Sequence, residues 1–334
     1  MPEVSPELLM DSVMGHMRTS AIKAAVELDV FSAIAEGATD AAAIGKRTGA
    51  AERGIEALAN YLTVLGFLEK ADGRYRLTPS SAVFLDRRSP AFLGDIHRFL
   101  AAPEMLKLSL DNPAAFVRNG GSLGLANMAP DDPVWVEFAR HMAPLMRPVA
   151  QAIAAHFATA GSPPRKILDI AAGHGLFGIA FGRQFPEAEV TALDWDNVLD
   201  VARENAAAAK LGDRFKTLTG SAFDADFGGP YDVLLMPNFL HHFDEPTCIG
   251  LLRKGRSALA PGGRLAISEF VPNEDRVSPP REAMFAYVML ATTQGGTAFP
   301  ASAIQRMLTA AGFRQTEFVP LPPSPQTLVV AEVA

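Results

Sequence analysis

The sequence predicts an α/β protein: a C-terminal doubly wound sheet that ends in an antiparallel hairpin, preceded by a mostly helical N-terminal winged-helix domain. Three observations support this prediction. From Ser162 onward, short apolar runs alternate with helical segments, which is typical of a parallel sheet. The chain closes with two β-rich runs joined by Pro322-Pro323, which predicts a final antiparallel strand. Near the N-terminus, two short helical patterns precede a hairpin pattern.

In the C-terminal region the short runs predict strands buried on both faces, because each is rich in apolar residues. The predicted strands are Lys166–Ala171, Glu189–Asp194, Phe215–Ser221, Tyr231–Leu240 and Arg264–Val271, followed by the hairpin Phe313–Leu321 and Thr327–Val333. The helices between the first strands are predicted over Gly175–Phe185 and Asn197–Leu211.

In the N-terminal region, Asp40–Thr48 and Glu52–Leu65 read as helices separated by Gly49. The segments Phe67–Lys70 and Arg74–Thr78 flank a glycine-containing turn, and together these elements predict a winged helix. Before it, Met14–Leu28 is predicted to be one helix with a long apolar stripe. That stripe is formed by Met14, Met17, Ala21, Ala25 and Leu28. The predicted domains are residues 1–90 (winged helix), 91–160 (helical linker) and 161–334 (sheet domain).

The composition excludes several classes of protein. Of 334 residues, 49% are hydrophobic and 20% charged, which excludes a disordered or fibrous chain. The net charge of −7 gives no chain-wide basic surface for nucleic acid or anionic lipid. The single cysteine, Cys248, excludes a disulfide framework and a cysteine-based zinc site. No apolar run reaches membrane-spanning length and the acidic N-terminus lacks signal-peptide features, so we expect a soluble cytoplasmic protein.

A glycine-rich turn, Asp169–Gly178, follows the first predicted strand and opens a helix. Glycines there let a ligand approach the backbone. The spacing also spells G-x-G-x-x-G, with Asp194 lying 21 residues after Gly173, so the motif alone is compatible with NAD or S-adenosylmethionine.

Three features favour S-adenosylmethionine. Asp169, inside the strand end, would oppose an anionic pyrophosphate but suits a sulfonium and an amino group. The terminal hairpin is not needed in a standard dinucleotide fold. Finally, the segment Asn238–Asp244 brings ionisable groups to the carboxyl edge of the sheet, where open α/β folds bind ligands. An NAD-dependent oxidoreductase remains the alternative.

Taken together, the motifs resemble the S-adenosylmethionine-dependent small-molecule O-methyltransferases of the caffeate and acetylserotonin type, with their bacterial natural-product tailoring relatives. The family's glycine motif matches Asp169–Gly175, its acidic residue after strand two matches Asp194, its L-H-D-W segment matches Leu240–Phe243, and its Pro-Gly-Gly matches Pro261–Gly263. The resemblance covers nearly the whole chain. It implies a winged-helix dimerisation domain, a homodimer and a role in secondary metabolism.

For the donor, the resemblance implies contacts with Asp169, Gly173, Gly175 and Asp194, and with Ser221 and Phe223 on the adenine side. A carboxylate such as Asp194 accepts two hydrogen bonds from a ribose diol. The alternative is that Asp194 caps the next helix. The family often has an acidic residue at the position of Ser221. For Phe223, the alternative to a contact with the adenine is an ordinary aromatic residue of the core.

For catalysis, the resemblance selects His241 as general base and places Glu269 beside it, where a carboxylate would orient the imidazole. His242 is the alternative base. Tandem histidines at a strand end should point to opposite sides, so only one can act. The alternative for Glu269 is a solvated residue at a strand end. A metal site is not expected, because no third ligand lies at suitable spacing.

Two departures from the plant relatives concern base positioning. Their lysine before the catalytic segment is replaced by Pro237, and the loop Gly295–Phe299 lacks their second acidic residue. The acceptor pocket is predicted from the linker and from the helix over Arg281–Thr293, although apolar residues at helical spacing could simply be core. The predicted substrate-contacting residues are Trp135, Phe138, Met142, Met284, Tyr287 and His242.

We therefore predict an O-methyltransferase acting on a hydroxyl of a small hydrophobic aromatic or polyketide-like acceptor. Alternatives on the same fold are a C-methyltransferase or an enzyme diverted to a non-methylating reaction. A winged-helix DNA-binding regulator is disfavoured, because residues 1–90 hold 10 Lys and Arg against 12 Asp and Glu, and that charge would repel a phosphate backbone.

Overall fold

The structure is a computed structural model that describes residues 4–125, 128–159 and 162–333. The chain forms two compact units, one ending at Pro103 and one beginning at Glu104. Residues 91–103 group with the first unit and not with the predicted linker. The helices of the first unit are α1 (Glu7–Val13), α2 (His16–Glu27), α3 (Val30–Ala35), α4 (Ala41–Thr48), α5 (Glu52–Val64), α6 (Pro79–Phe84) and α7 (His97–Leu100). Its strands are β1 (Leu68–Ala71) and β2 (Arg74–Leu77).

The winged-helix pattern is present in the first unit. Asp40 begins α4 by accepting a hydrogen bond from the backbone N–H of Ala43 at 2.8 Å, and Gly49 ends it in the left-handed conformation. β1 and β2 pair in antiparallel register. The helices and the hairpin share one apolar core, in which Ile44, Leu62 and Tyr75 are buried.

The helix predicted over Met14–Leu28 corresponds to α2, His16–Glu27, within two residues at each end. A short separate helix, α1, precedes α2, and a turn at Met14 and Gly15 lies between them. Of the predicted apolar stripe, Ala21 and Ala25 are buried in the unit's own core. By contrast, Met14 and Met17 are 48% and 42% exposed. The stripe is therefore divided between an internal and an outward-facing part.

The second unit contains the sheet. Its helices are α8 (Pro103–Leu110, which starts at the unit boundary), α9 (Pro113–Asn119), α10 (Pro133–Thr159), α11 (Leu176–Gln184), α12 (Asp196–Ala208), α13 (Glu245–Ser257), α14 (Pro280–Thr292) and α15 (Ala301–Ala311). Its strands are β3 (Lys166–Ile170), β4 (Glu189–Asp194), β5 (Phe215–Thr219), β6 (Tyr231–Pro237), β7 (Leu259–Phe270), β8 (Phe313–Pro320) and β9 (Gln326–Val333).

Among the described residues the strands form one seven-stranded sheet in the order β5-β4-β3-β6-β7-β9-β8. The first five strands of this order are parallel. β9 pairs antiparallel with both β7 and β8. The predicted fold class, including the terminal hairpin, is confirmed.

The strand order reverses at β3, which pairs with β4 on one side and β6 on the other. In open α/β sheets a crevice for ligands opens at this point, beyond the carboxyl ends of the strands. The turns that follow β3 and β6 begin at Ala171 and Asn238, and both residues have positive φ angles, of 51° and 54°. The fold thus places the glycine-rich turn and the histidine pair at one edge of the sheet.

Candidate active site

The glycine-rich turn leaves open space at one glycine. A Cβ added at Gly173 would have its nearest heavy neighbour 4.0 Å away. The other two glycines are needed for packing: a Cβ at Gly175 would lie 2.9 Å from the Cβ of Ala202, and one at Gly178 would lie 2.6 Å from Val190. Gly173 is therefore the position in this turn where a ligand can approach the backbone.

Asp194, at the end of β4, holds this turn. Its Oδ2 accepts the backbone N–H of Gly173 at 2.8 Å, and its Oδ1 accepts that of Trp195 at 2.7 Å. Burial raises the pKa of this carboxyl to about 6. The alternative of a helix cap does not fit, because Trp195 occupies the cap position of α12 without a side-chain cap bond.

Asp169 lies beneath the glycine turn and is fully buried. Its Oδ2 accepts the backbone N–H of Gly178 at 2.8 Å, whereas its Oδ1 has no hydrogen-bond partner. Burial, with a smaller contribution from the charge of Asp194, raises the pKa of Asp169 to about 8. The carboxyl acts on the turn through Gly178, and its raised pKa favours the protonated form near pH 7.

The turn after β5 carries Ser221 and Phe223. The Ser221 hydroxyl accepts the backbone N–H of Phe223 at 3.1 Å, and Lys254 donates to the carbonyl oxygen of Phe223 at 2.7 Å. The Phe223 ring is 48% exposed and contacts the edge of Phe243 at a centroid distance of 5.2 Å. This exposure does not fit the alternative of a core aromatic.

Glu269 and His241 form a buried pair. Glu269 Oε2 lies 2.5 Å from His241 Nδ1, and both side chains are almost fully buried. Glu269 Oε1 also accepts the backbone N–H groups of Phe239 at 3.2 Å and Leu240 at 3.0 Å. The alternative of a solvated strand-end residue for Glu269 is therefore wrong. One carboxylate holds both the imidazole and the turn that carries it.

His242 lies beside His241, with ring centroids 4.4 Å apart. The expectation that the two rings point to opposite sides is wrong, because β6 ends at Pro237 and residues Leu240–His242 form a 3-10 turn. Burial and the positive charge of His241 lower the pKa of His242 well below its ordinary value. The lowered pKa favours the neutral form of His242 near neutral pH.

Two aromatic residues that the sequence analysis did not select enclose His241. The ring of Phe285, from α14, meets the His241 ring edge-on at 4.8 Å. Phe285 in turn stacks on Phe270 at 3.9 Å. The sequence contains one indication of this role for Phe285. It lies one helical turn before Met289, on the helix predicted to line the acceptor pocket.

The predicted acceptor residues do not form one cluster. Trp135 packs edge-on against Trp195 in a small core between α10 and α12. Met284 and Tyr287 on α14 are 60% and 51% exposed, and Tyr287 contacts Phe116 edge-on at 5.5 Å. Phe138 and Met142 on α10 are partly buried. His242 contacts the His241 ring directly.

A close-packed loop, Gly295–Phe299, contacts the histidine turn. A Cβ at Gly296 would overlap the carbonyl oxygen of His241. The backbone N–H of Gly296 donates to the hydroxyl of Thr293 at 2.9 Å, and Thr293 is buried. The loop thus approaches the turn through backbone atoms.

Neither metal ligands nor membrane spans are found in the described parts of the chain. Within residues 4–125, 128–159 and 162–333, no group of three or more His, Cys, Asp and Glu side chains is arranged to hold a metal. No helix of those ranges is both long and apolar enough to cross a membrane.

Comparison with known proteins identifies relatives along nearly the whole chain. The 3-hydroxy-5-methyl-1-naphthoate 3-O-methyltransferase of Streptomyces sahachiroi is 30% identical over 87% of this chain and 84% of its own length. Mouse acetylserotonin O-methyltransferase is 29% identical over 91% of this chain and 83% of its own length.

Solved structures of methyltransferases share the fold of this chain. The crystal structure of a candidate O-methyltransferase from Nostoc punctiforme superposes with a TM-score of 0.94 at 42% identity, covering 99% of this chain and 100% of that one. Human N-acetylserotonin methyltransferase, in complex with S-adenosylmethionine, shares the fold with a TM-score of 0.84 at 21% identity, covering 100% of this chain and 99% of that one.

Family models match both parts of the chain. Residues 10–87 match the O-methyltransferase dimerisation domain, and residues 114–314 match the O-methyltransferase domain. The second match alone spans more than half of the sequence. The chain therefore belongs to the O-methyltransferase family.

Proposed function

We propose that this protein transfers a methyl group from S-adenosylmethionine to a hydroxyl of a small aromatic or polyketide-like acceptor, with His241 as general base. The observation that carries this proposal is the buried Glu269–His241 pair at the crevice of the sheet. A histidine held there can remove the proton of a hydroxyl whose unperturbed pKa, for a phenol, is near 10.

The residues around the glycine turn suit the methyl donor. Open space at Gly173 admits a ligand to the backbone. Each Asp194 oxygen accepts one backbone N–H and keeps a lone pair for a ribose hydroxyl. When bound, S-adenosylmethionine supplies an electrophilic methyl group on a cationic sulfonium. Asp169 supports the turn from below through Gly178.

The proton's path follows from the contacts of the His241 ring. Because Nδ1 faces the Glu269 carboxylate, Nδ1 carries the hydrogen and Nε2 is the nitrogen that accepts a proton. Glu269 then stabilises the imidazolium. His242 stays neutral beside it, so it does not compete for the charge. A second imidazole, that of His242, adjoins the base, and the Gly296 loop contacts the backbone of the same turn.

The acceptor is proposed to be flat and apolar. Phe285 and Phe270 form an aromatic wall next to the base, and such faces favour ring stacking over polar metabolites. Relatives named for hydroxylated aromatic acids, a naphthoate and a 3-amino-4-hydroxybenzoate, support the aromatic part of this proposal.

Assembly as a homodimer is part of the proposal. The match of residues 10–87 to a dimerisation domain supports it. So do the outward-facing apolar residues of α1, among them Leu8, Leu9 and Val13, each more than 60% exposed.

The direct test is to incubate the purified protein with S-adenosylmethionine carrying a deuterated methyl group and a panel of naphthols, hydroxybenzoates and hydroxylated quinones. Mass spectrometry should find a labelled product, and nuclear magnetic resonance should place the methyl on oxygen. A methyl on carbon would establish the C-methyltransferase alternative. Binding of NADH, with no binding of S-adenosylhomocysteine, would overturn the proposal.

A further inference from the structure

A buried chain of polar side chains runs from the terminal hairpin to the crevice. The hydroxyl of Ser268 in β7 donates to Gln326 Oε1 in β9 at 3.0 Å, and Gln326 Nε2 donates to Asn238 Oδ1. Ser268 and Gln326 are 0% and 2% exposed. Buried amides are placed at a cost unless they are hydrogen-bonded, so this arrangement fixes which way each group points.

The direction of these hydrogen bonds determines what Asn238 can offer a ligand. The Ser268 hydroxyl donates to Gln326 Oε1, which turns the Gln326 Nε2 group toward Asn238 Oδ1. With its oxygen occupied by Gln326, Asn238 has its Nδ2 donor group left. That group has only a weak contact, 3.5 Å from Met146 Sδ.

The location of Asn238 is the crevice itself. It is the first residue after β6, at the point where the strand order reverses. Leu235 in β6 pairs with Asp169 in β3, so the turn after β6 starts level with the glycine turn after β3. Asn238 adopts a left-handed conformation, with φ of 54°, which is unusual for a residue other than glycine.

We propose that Asn238, positioned by Gln326, donates a hydrogen bond to the α-carboxylate at the amino-acid end of the methyl donor. This inference rests on the proposed function, because it assumes that the donor occupies the crevice. It assigns a specific contact to a chain that has Pro237 where plant relatives carry a lysine. Gln326 is a positioning residue here, since it acts through Asn238.

The test compares two ligands by calorimetry. S-adenosylhomocysteine has the amino-acid end, whereas 5′-methylthioadenosine lacks it. Asn238→Gly keeps the left-handed backbone and removes the amide, and Asn238→Asp replaces the donor by an acceptor. We expect both variants to bind S-adenosylhomocysteine at least ~10-fold more weakly, as for a lost hydrogen bond to a charged group, with 5′-methylthioadenosine unchanged within about twofold.

Gln326→Met, similar in length but apolar, should weaken S-adenosylhomocysteine binding by about 3–10-fold and also spare 5′-methylthioadenosine, because the amide of Asn238 is then free to rotate. Equal weakening of both ligands would mean a structural role only and would overturn the inference. Tighter binding of S-adenosylhomocysteine by Asn238→Asp would also overturn the inference. It would mean that the side chain at position 238 faces the amino group of the ligand and not its carboxylate. Wild-type protein that binds neither ligand would instead overturn the proposed function.

Discussion

The Glu269 carboxylate lies 2.5 Å from Nδ1 of His241 while its other oxygen accepts backbone N–H groups of the same turn. This single side chain therefore couples the orientation of the ring to the conformation of Phe239–His241. Because the pair is buried, removing the carboxylate leaves several donors unsatisfied at once.

Glu269→Gln tests that coupling. The glutamine oxygen can still accept the backbone N–H groups, but its amide N–H would face Nδ1 and favour the tautomer with hydrogen on Nε2, which cannot accept a proton. We expect turnover on a phenolic acceptor to fall by ~10²-fold or more, with S-adenosylhomocysteine affinity nearly unchanged. Glu245→Gln, at an exposed ion pair with Arg306, is the control and should keep normal turnover. Normal turnover in Glu269→Gln would refute the orienting role.

Asp194→Ala should weaken S-adenosylhomocysteine binding by ~1–3 kcal/mol, through the lost charge-assisted hydrogen bonds. The pKa of Asp194 is raised to about 6, so wild-type affinity should also fall as the pH drops through 6 and the carboxylate becomes protonated. Calorimetry between pH 5 and 8 measures both effects. The variant should lose this pH dependence, and Asp200→Ala, on an exposed part of α12, should behave like the wild type. Affinity independent of pH in the wild type would count against Asp194.

Asp169→Asn should stabilise the fold at pH 8 relative to the wild type. The folded-state pKa of Asp169, about 8, is above the unfolded value of 3.8, so the folded chain holds a proton that the unfolded chain releases. The contribution of Asp169 is therefore fully favourable below pH 4 and is lost as the pH rises to 8. Asparagine resembles the neutral acid at every pH. Urea unfolding measures the free energy of unfolding of both proteins. The value for the variant, relative to that for the wild type, should rise by ~2–4 kcal/mol between pH 5 and 8. A difference that does not change with pH would show that the carboxyl is ionised in the fold.

Light scattering should find a dimer at micromolar concentration, with a total interface above ~2,000 Å². Leu9→Glu combined with Val13→Glu places charges on the exposed apolar side of α1 and should shift the protein towards monomer. Val277→Glu, at an exposed apolar residue of the second unit, is the control. A wild-type monomer would contradict the proposal.

Local patterns in the sequence were sufficient for the fold. The sheet with its terminal hairpin followed from apolar runs and Pro322-Pro323. The helix with its apolar stripe over Met14–Leu28 likewise followed from the spacing and is α2, although the spacing does not show that Met14 and Met17 face outward.

The site was only partly predictable. The tandem histidines were recognised from the motif. Their mutual contact depends on a 3-10 turn, which was not predicted because the apolar run before it was interpreted as a strand continuing to Leu240. The contact between Asn238 and Gln326 joins residues 88 positions apart, and no local pattern specifies such a pairing. Phe285 likewise acquires its role from packing against His241.

The most direct test of the account is turnover by His241→Ala on a phenolic acceptor, measured beside S-adenosylhomocysteine affinity. We predict a loss of at least ~10²-fold in turnover, affinity within about threefold of the wild type, and partial recovery at pH 9–10 where the phenol ionises unaided. His242→Ala should cost much less. Wild-type turnover in His241→Ala would contradict the account and mean that the acceptor arrives ionised or is methylated on carbon, so that the site works by proximity alone.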